Sequence, residues 1–343
     1  MPWSPDVAAL SAASNSSFHA LVVPLSLMVK LTYTATFGTY FKESDLNATV
    51  NGWERPLTRN PETGVRCLFF WQRNTSRGVV AFRGTDLGSG KSGEADRCAD
   101  ALLFNSTEGP PPYCGDFSPA TLDYWGGALD FVAQVRRTYP TADLLFTGHS
   151  LGAGLALAMA VATAPSGDAA PLAAADDADD DSAGATTTAT VRADATTIVA
   201  RLGPQPAVAF SSPPFLPVLE ARAPHVPLPN RSAARRALYA LADAQDPVQR
   251  AAADARGLLG TQCLWTSDEV YSCTLCLSHT PIRFSSVACE LCFKERHIYA
   301  HYLRTDVPGP RPACEGIAPP GEPEAEAVVM EPEAEAVLED VER

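Results

Sequence analysis

The stretch ADLLFTGHSLGAGLALAMAVATA, residues 142–164, constrains this chain more than any other. Its first part is an apolar run of strand length, and its last part is an Ala- and Leu-rich run that strongly favours helix. Between them lies Gly148-His149-Ser150-Leu151-Gly152, a G-x-S-x-G pentapeptide. The pentapeptide recurs by chance, so its context decides its meaning. A strand before it and a helix after it give a sharp turn that holds the serine, under backbone strain, at the edge of a sheet. Glycines on both flanks remove Cβ atoms that would collide across that turn. Gly152 and Gly154 let the helix pack close to its strand, and the helix N-terminus directs partial positive charge to where an oxyanion would form. Ser150 is therefore a candidate nucleophile.

The rest of the chain predicts the sheet that such a turn requires. ALVVPLSLMV, residues 20–29, is expected to be a buried first helix continuing through KLTYTATFGTYF. VRCLFFWQR and RGVVAFRGTD are two β-rich runs separated by NTS, which predicts a hairpin. Residues 86–118 are rich in Gly, Pro and polar residues, with ADALLF their one apolar run. A long irregular segment within a compact domain suggests a lid. TLDYWGGALDFVAQVRRTY has apolar residues at helical spacing, AVAFSSPP is a strand, and RRALYALADA is a further strand or helix. Strands alternating with helices predict an α/β domain with a mostly parallel sheet, and a cysteine-rich C-terminal part of the same domain.

The formal net charge of −14 is concentrated in two biased segments. Residues 165–195 form an Ala/Asp/Thr insertion, and residues 306–343 an acidic tail in which an EPEAEAV unit recurs. Neither has enough apolar surface to offset its ordering entropy, so both are expected to be disordered. With residues 1–17 as an N-terminal extension, the domain is expected to span 18–305. No basic patch points to nucleic acid, and no protein partner is indicated. No run reaches the roughly 20 apolar residues of a membrane span. Residues 20–29 are interrupted by Pro24, with no basic segment before them and no small-residue cleavage site after, so neither a signal peptide nor an anchor is evident.

Two features nevertheless point to the secretory route. Five N-x-S/T triplets occur, at Asn15, Asn47, Asn74, Asn105 and Asn230. There are nine cysteines, five of them between Cys263 and Cys292. CTLCLSHTPIRFSSVACELC has the spacing C-x2-C-x12-C-x2-C from Cys273 to Cys292, which also suits a tetrahedral zinc site. The competing reading is thus a non-catalytic protein carrying a zinc-binding interaction module. Cys67, Cys98, Cys114, Cys263 and Cys314 are further partners for disulfides, the default in an oxidising lumen.

A nucleophilic serine needs a base and an orienting acid, which in this architecture follow it in the order acid, then histidine. Downstream histidines are His225, His279, His297 and His301. LYALADAQDPV offers Asp246, which Pro247 forces into an extended or turn conformation, and Asp243 as second choice.

VVAFRGTD, LLFTGHSLGAG, ADAQDPV and the terminal histidine region together resemble the class 3 lipases, a group with the α/β-hydrolase fold. Among them the similarity is greatest to the autophagy-associated vacuolar lipases of phospholipase type, which share DRCADALLF, the TGHSLG elbow, an acid loop ending in Asp-Pro, and cysteines before the last histidine. The resemblance implies Ser150 as nucleophile, Asp246 as acid, and Thr85 and Leu151 as backbone oxyanion donors. It implies His297 as base, because the family histidine opens a final helix; His301 is the alternative. Residues from Leu87 to about Cys114 would be the lid. The implied activity is hydrolysis of carboxylic esters of glycerolipids, triacylglycerol or phospholipid, through an acyl-enzyme, without metal or cofactor. An alternative is an sn-1 diacylglycerol lipase-like esterase. The substrate would be met at a membrane or lipid-droplet surface, in an endomembrane lumen (vacuole or lysosome) or after secretion.

Overall fold

A computed structural model of the chain describes residues 3–10, 13–33, 50, 52–86, 90–104, 112–164, 204–243, 246, 248, 258–265 and 312–317. Eight strands form one sheet in sequential order: β1 (Glu54–Arg59), β2 (Cys67–Gln72), β3 (Arg77–Phe82), β4 (Asp143–His149), β5 (Ala207–Phe210), β6 (Leu238–Asp243), β7 (Gly260–Trp265) and β8 (Ala313–Ile317). β3 to β7 run parallel, and antiparallel pairs close the sheet at both ends. This is the mostly parallel α/β sheet that the alternation of apolar runs predicts. β1, exposed along nearly its whole length and carrying Pro56, makes a suitably polar edge.

Residue alternation along the strands sends side chains to two separate cores. Cys67, Phe69, Val80, Phe82, Leu144, Phe146, Ala207 and Ala209 face one layer. It comprises α3 (Lys91–Phe104), α5 (Tyr124–Thr138), α6 (Leu151–Ala162) and α7 (Leu216–Arg222), with a short α4 (Pro119–Leu122) leading into α5. Leu68, Phe70, Val79, Ala81, Leu145, Val208 and Phe210 face the other layer, with α1 (Trp3–Ala8) and α2 (Asn15–Leu31). Both sheet faces are covered, so the central strands are apolar throughout rather than alternating with polar residues. α6 is buried from Leu151 to Val161, which explains a helix of almost pure Ala, Leu and Gly.

The hairpin forms as expected, β2 and β3 pairing from Cys67↔Phe82 to Gln72↔Arg77 across a turn ending at Ser76, φ 54°. Several other expectations are corrected. The first helix is shorter than expected. It ends at Leu31, where the Thr32 hydroxyl and backbone N–H turn back onto Val29 and Lys30, and residues 34–49 lie outside the described residues. Residues 86–118 are not irregular throughout: Lys91–Phe104 is a 14-residue helix, packed by Ala95, Ala99 and Leu103. RRALYALADA is both alternatives at once. α8 (Arg231–Ala237), capped by Asn230 Oδ1 on the Ala233 N–H at 2.8 Å, passes directly into β6 because its C-cap Leu238 is already extended.

The two ends of the chain also contribute to the fold. Trp3, Val7 and Leu10, placed by sequence in an extension, are buried against the α2 side. Trp3 Nε1 donates to Gly78 O at 3.2 Å, and the Arg77 guanidinium lies 4.5 Å from the Trp3 ring centre. Ala313–Ile317, within the expected tail, forms β8 because Cys314 is disulfide-bonded to Cys263 at the matching register position of β7. The 165–195 insertion and the rest of the tail lie outside the described residues.

Candidate active site at the carboxyl edge of the sheet

β3, β4 and β6 are parallel, so their C-terminal ends emerge on one edge of the sheet, where α/β folds characteristically place their sites. β3 leads into Arg83-Gly84-Thr85, β4 into Ser150, and β6 into Asp243 and Asp246.

Ser150 has φ 55° and ψ −127°, a conformation that side-chain-bearing residues rarely adopt. Its backbone is held on both sides: its N–H donates to Phe210 O at 3.0 Å, and its carbonyl accepts from the Ala153 N–H at 2.8 Å. Although Ser150 occupies the N-cap of α6, its side chain makes no capping bond. The half-buried hydroxyl is therefore available for chemistry. The flanking glycines are required sterically. A Cβ on Gly148 would lie 2.2 Å from Gly152 O, and one on Gly152 would lie 2.4 Å from Phe82 O. α6 thereby presses its first turn, with the N–H groups of Leu151 and Gly152, against the end of β3.

The Arg83–Asp86 turn lies directly against the elbow. A Cβ on Gly84 would lie 2.3 Å from His149 O and 2.2 Å from the Tyr33 hydroxyl. Tyr33 Oη and His149 Nδ1 share a hydrogen bond of 2.9 Å, and burial raises the Tyr33 phenol far above its usual range. Thr85, half-buried, donates through Oγ1 to Asp100 Oδ2 at 2.5 Å. Burial pushes the Asp100 carboxyl up to about 7, with the Thr85 hydrogen bond opposing the rise.

Asp96 Oδ2 accepts from Arg83 Nη2 at 2.5 Å and from the Asp86 N–H at 2.7 Å, and Asp96 Oδ1 accepts from the Tyr124 hydroxyl. Desolvation raises the Asp96 carboxyl, opposed by Arg83. Asp96 and Asp100 lie four residues apart on α3, on one helical face. That spacing, visible in DRCADALLF, was the available signal for both; the contacts of Tyr33, Tyr124 and His149 had none.

Asp246 is fully buried, its N–H donating to Asp243 O and its Oδ1 accepting from the Val248 N–H, both at 2.9 Å. This fixes a carboxylate in the loop after β6. Asp243, the second choice, is buried at the strand end. His225 is exposed on a loop after α7. His279, His297 and His301 lie outside the described residues, as do Cys273, Cys276, Cys289 and Cys292. The structure thus sets the turn that carries Thr85 against the elbow that carries Ser150 and Leu151, through Gly84 and Gly152.

Two disulfides are present among the described residues, Cys98–Cys114 and Cys263–Cys314, and Cys67 is a buried thiol. Cys98–Cys114 ties α3 to the 3-10 turn Pro112–Asp116. With Asp96, Cys98 and Ala99 also buried, most of α3 is anchored rather than hinged. The other residues of the expected lid, 87–89 and 105–111, lie outside the described residues.

No curated protein sequence matches the chain. Similar solved structures include lipase II from Rhizopus niveus, at 15% identity and TM-score 0.40 over 74% of this chain and 83% of that one. The triacylglyceride lipase of Rhizomucor miehei is similar at 15% identity and TM-score 0.40 over 74% and 82%. Lip2 lipase from Yarrowia lipolytica is similar at 13% identity and TM-score 0.38 over 69% and 76%. These likenesses are too distant to carry function. Residues 79–175, from β3 through the Arg-Gly-Thr turn, α3 and the elbow to α6, match Lipase (class 3). The likeness to the class 3 lipases in sequence is confined to that segment of the chain.

Proposed function

We propose that this protein is a serine hydrolase that cleaves carboxylic esters of glycerolipids through an acyl-enzyme. The observation that carries the reading is the backbone of Ser150: positive φ, at a strand-to-helix junction, with its hydroxyl unused as a helix cap. His297 removes the Ser150 proton as Oγ attacks the ester carbonyl, and Asp246 holds the imidazole in its tautomer. The N–H groups of Thr85 and Leu151 stabilise the tetrahedral oxyanion, where one donor is typically worth about 3 kcal/mol. His297 then protonates the leaving alcohol, and water, deprotonated in turn, releases the fatty acid and frees Ser150.

Triacylglycerol or phospholipid at a membrane or lipid-droplet surface is the proposed substrate, with an sn-1 diacylglycerol lipase-like activity as the alternative. The exposed Leu102 and Tyr113, on either side of residues 105–111, suit an apolar interface. The two disulfides support a lumenal or secreted location, with a vacuolar role of the autophagy-associated type as its specific form. Asn74, exposed in the β2–β3 turn, is the best-placed described acceptor for a glycan. Among the described residues, no helix is long and apolar enough to cross a membrane.

The test is fatty-acid release from triacylglycerol, diacylglycerol and phosphatidylcholine emulsions by wild type and Ser150→Ala. Release from at least one lipid that the variant abolishes is expected. A folded wild type inactive on all three would overturn the reading.

A further inference from the structure

We propose that Asp96 is a positioning residue for transition-state stabilisation: it fixes the turn that presents the Thr85 N–H to the reacting carbonyl. The inference rests on the reading of Thr85 as an oxyanion donor.

The turn runs Arg83-Gly84-Thr85-Asp86, and one carboxylate holds both of its ends. Asp96 Oδ2 takes the Arg83 guanidinium at one end and the Asp86 N–H at the other, at 2.5 and 2.7 Å. Oδ1 is fixed from the opposite side by the Tyr124 hydroxyl, carried on α5. Arg83 Nη2 also reaches Ser92 Oγ at 3.3 Å, on the first turn of α3. The Arg83 and Asp96 side chains are 2% and 1% exposed.

A charge pair buried this deeply repays its desolvation only when its geometry is near ideal, and it is weak evidence for stability. What it supplies here is placement. Gly84, between the clamped ends, has no room to move towards the elbow, because His149 O and the Tyr33 hydroxyl already occupy the space of a Cβ. The Asp86 N–H is consumed by Asp96. Thr85 is left half-buried, its hydroxyl turned to Asp100.

The carboxylate is itself fixed. Cys98, two residues on, is disulfide-bonded to Cys114, so α3 cannot slide without dragging the 3-10 turn with it. A donor displaced by about 1 Å from its reacting atom costs on the order of 100-fold in rate. The turn position is therefore set by four elements at once: β3, α3, α5 and the elbow.

The experiment measures kcat and KM on a soluble short-chain ester, with active sites counted by complete fluorophosphonate titration, so that loss of folded enzyme lowers the site count and not turnover per site. Asp96→Asn keeps the shape but removes the negative charge that faces Arg83, and Tyr124→Phe removes only the bond to Oδ1. The expected result is a fall in kcat per titrated site of about 30-fold for Asp96→Asn and about fivefold for Tyr124→Phe, with KM within about twofold of wild type. Both variants at wild-type kcat per site would overturn the role of Asp96 while leaving the hydrolase reading intact. Where Asp96→Asn fails to fold, Tyr124→Phe decides alone. A wild type that neither titrates nor turns over would overturn both.

Discussion

Thr85 Oγ1 donates to Asp100 Oδ2 at 2.5 Å, and burial pushes that carboxyl up to about 7. A carboxyl raised in the folded state binds its proton more tightly there than in the unfolded chain. Its contribution to stability is thus fully present below the usual carboxylate range and is lost as pH rises to about 7. Asp100→Asn removes the titrating group. Measured by urea unfolding, the stability of the variant relative to wild type should be greater at pH 8 than at pH 5. Parallel pH profiles would contradict this. At pH 8, where the Asp100 carboxyl is ionised, the Thr85 hydroxyl loses a charged acceptor in the variant, and kcat should fall about tenfold.

The conformation of Ser150, φ 55° and ψ −127°, is one that glycine adopts without cost. Residues held in such regions store of the order of 1–3 kcal/mol. Ser150→Gly and Ser150→Ala should both be inactive. They should differ in stability, the glycine variant being about 1 kcal/mol more stable after its greater unfolded-state entropy is allowed for. Equal urea midpoints would mean that the elbow carries no strain.

Gly152 faces backbone rather than flexible side chains, with Phe82 O 2.4 Å and Arg83 O 2.7 Å from an added Cβ. Gly152→Ala should therefore force α6 away from β3 and destabilise the fold by roughly 3 kcal/mol. Thermal melting followed by circular dichroism measures this. An unchanged melting temperature would show that α6 can shift freely.

The two disulfides close loops of different length, with sequence separations of 16 and 51. On the chain-entropy account they contribute about 3 and about 4 kcal/mol. Cys98→Ser with Cys114→Ser should lower stability by the smaller amount and also lower kcat per active site, because α3 carries Asp96 and Asp100. Loss of stability with unchanged turnover would show that α3 holds its place without the bridge.

The parts of the fold legible in the sequence were those whose signal is local and periodic: the elbow, its strand and helix, and the β2–β3 hairpin. ADALLF was read as an isolated apolar run because α3 buries Asp96 beside its apolar residues, and a buried acid looks like surface in a sequence. Arg83, in the turn after β3 and thirteen residues before Asp96, reveals that pairing only when β3 places it against α3. The ends of the chain were misread for a similar reason. Trp3 and Cys314 are fixed by contacts with Gly78 and Cys263, which no local pattern announces. Within the site, the elbow and the turn after β3 were legible because each stands in a short motif. Tyr33 and His149 meet only through the tertiary fold.

The most direct test of the central claim is labelling with a fluorescent fluorophosphonate, the labelled residue being mapped by peptide mass spectrometry. Wild type should label on Ser150, with labelling lost in Ser150→Ala and in His297→Ala but kept in His301→Ala. Folded wild type that does not label, or that labels at another serine, would contradict the assignment of Ser150 as the nucleophile.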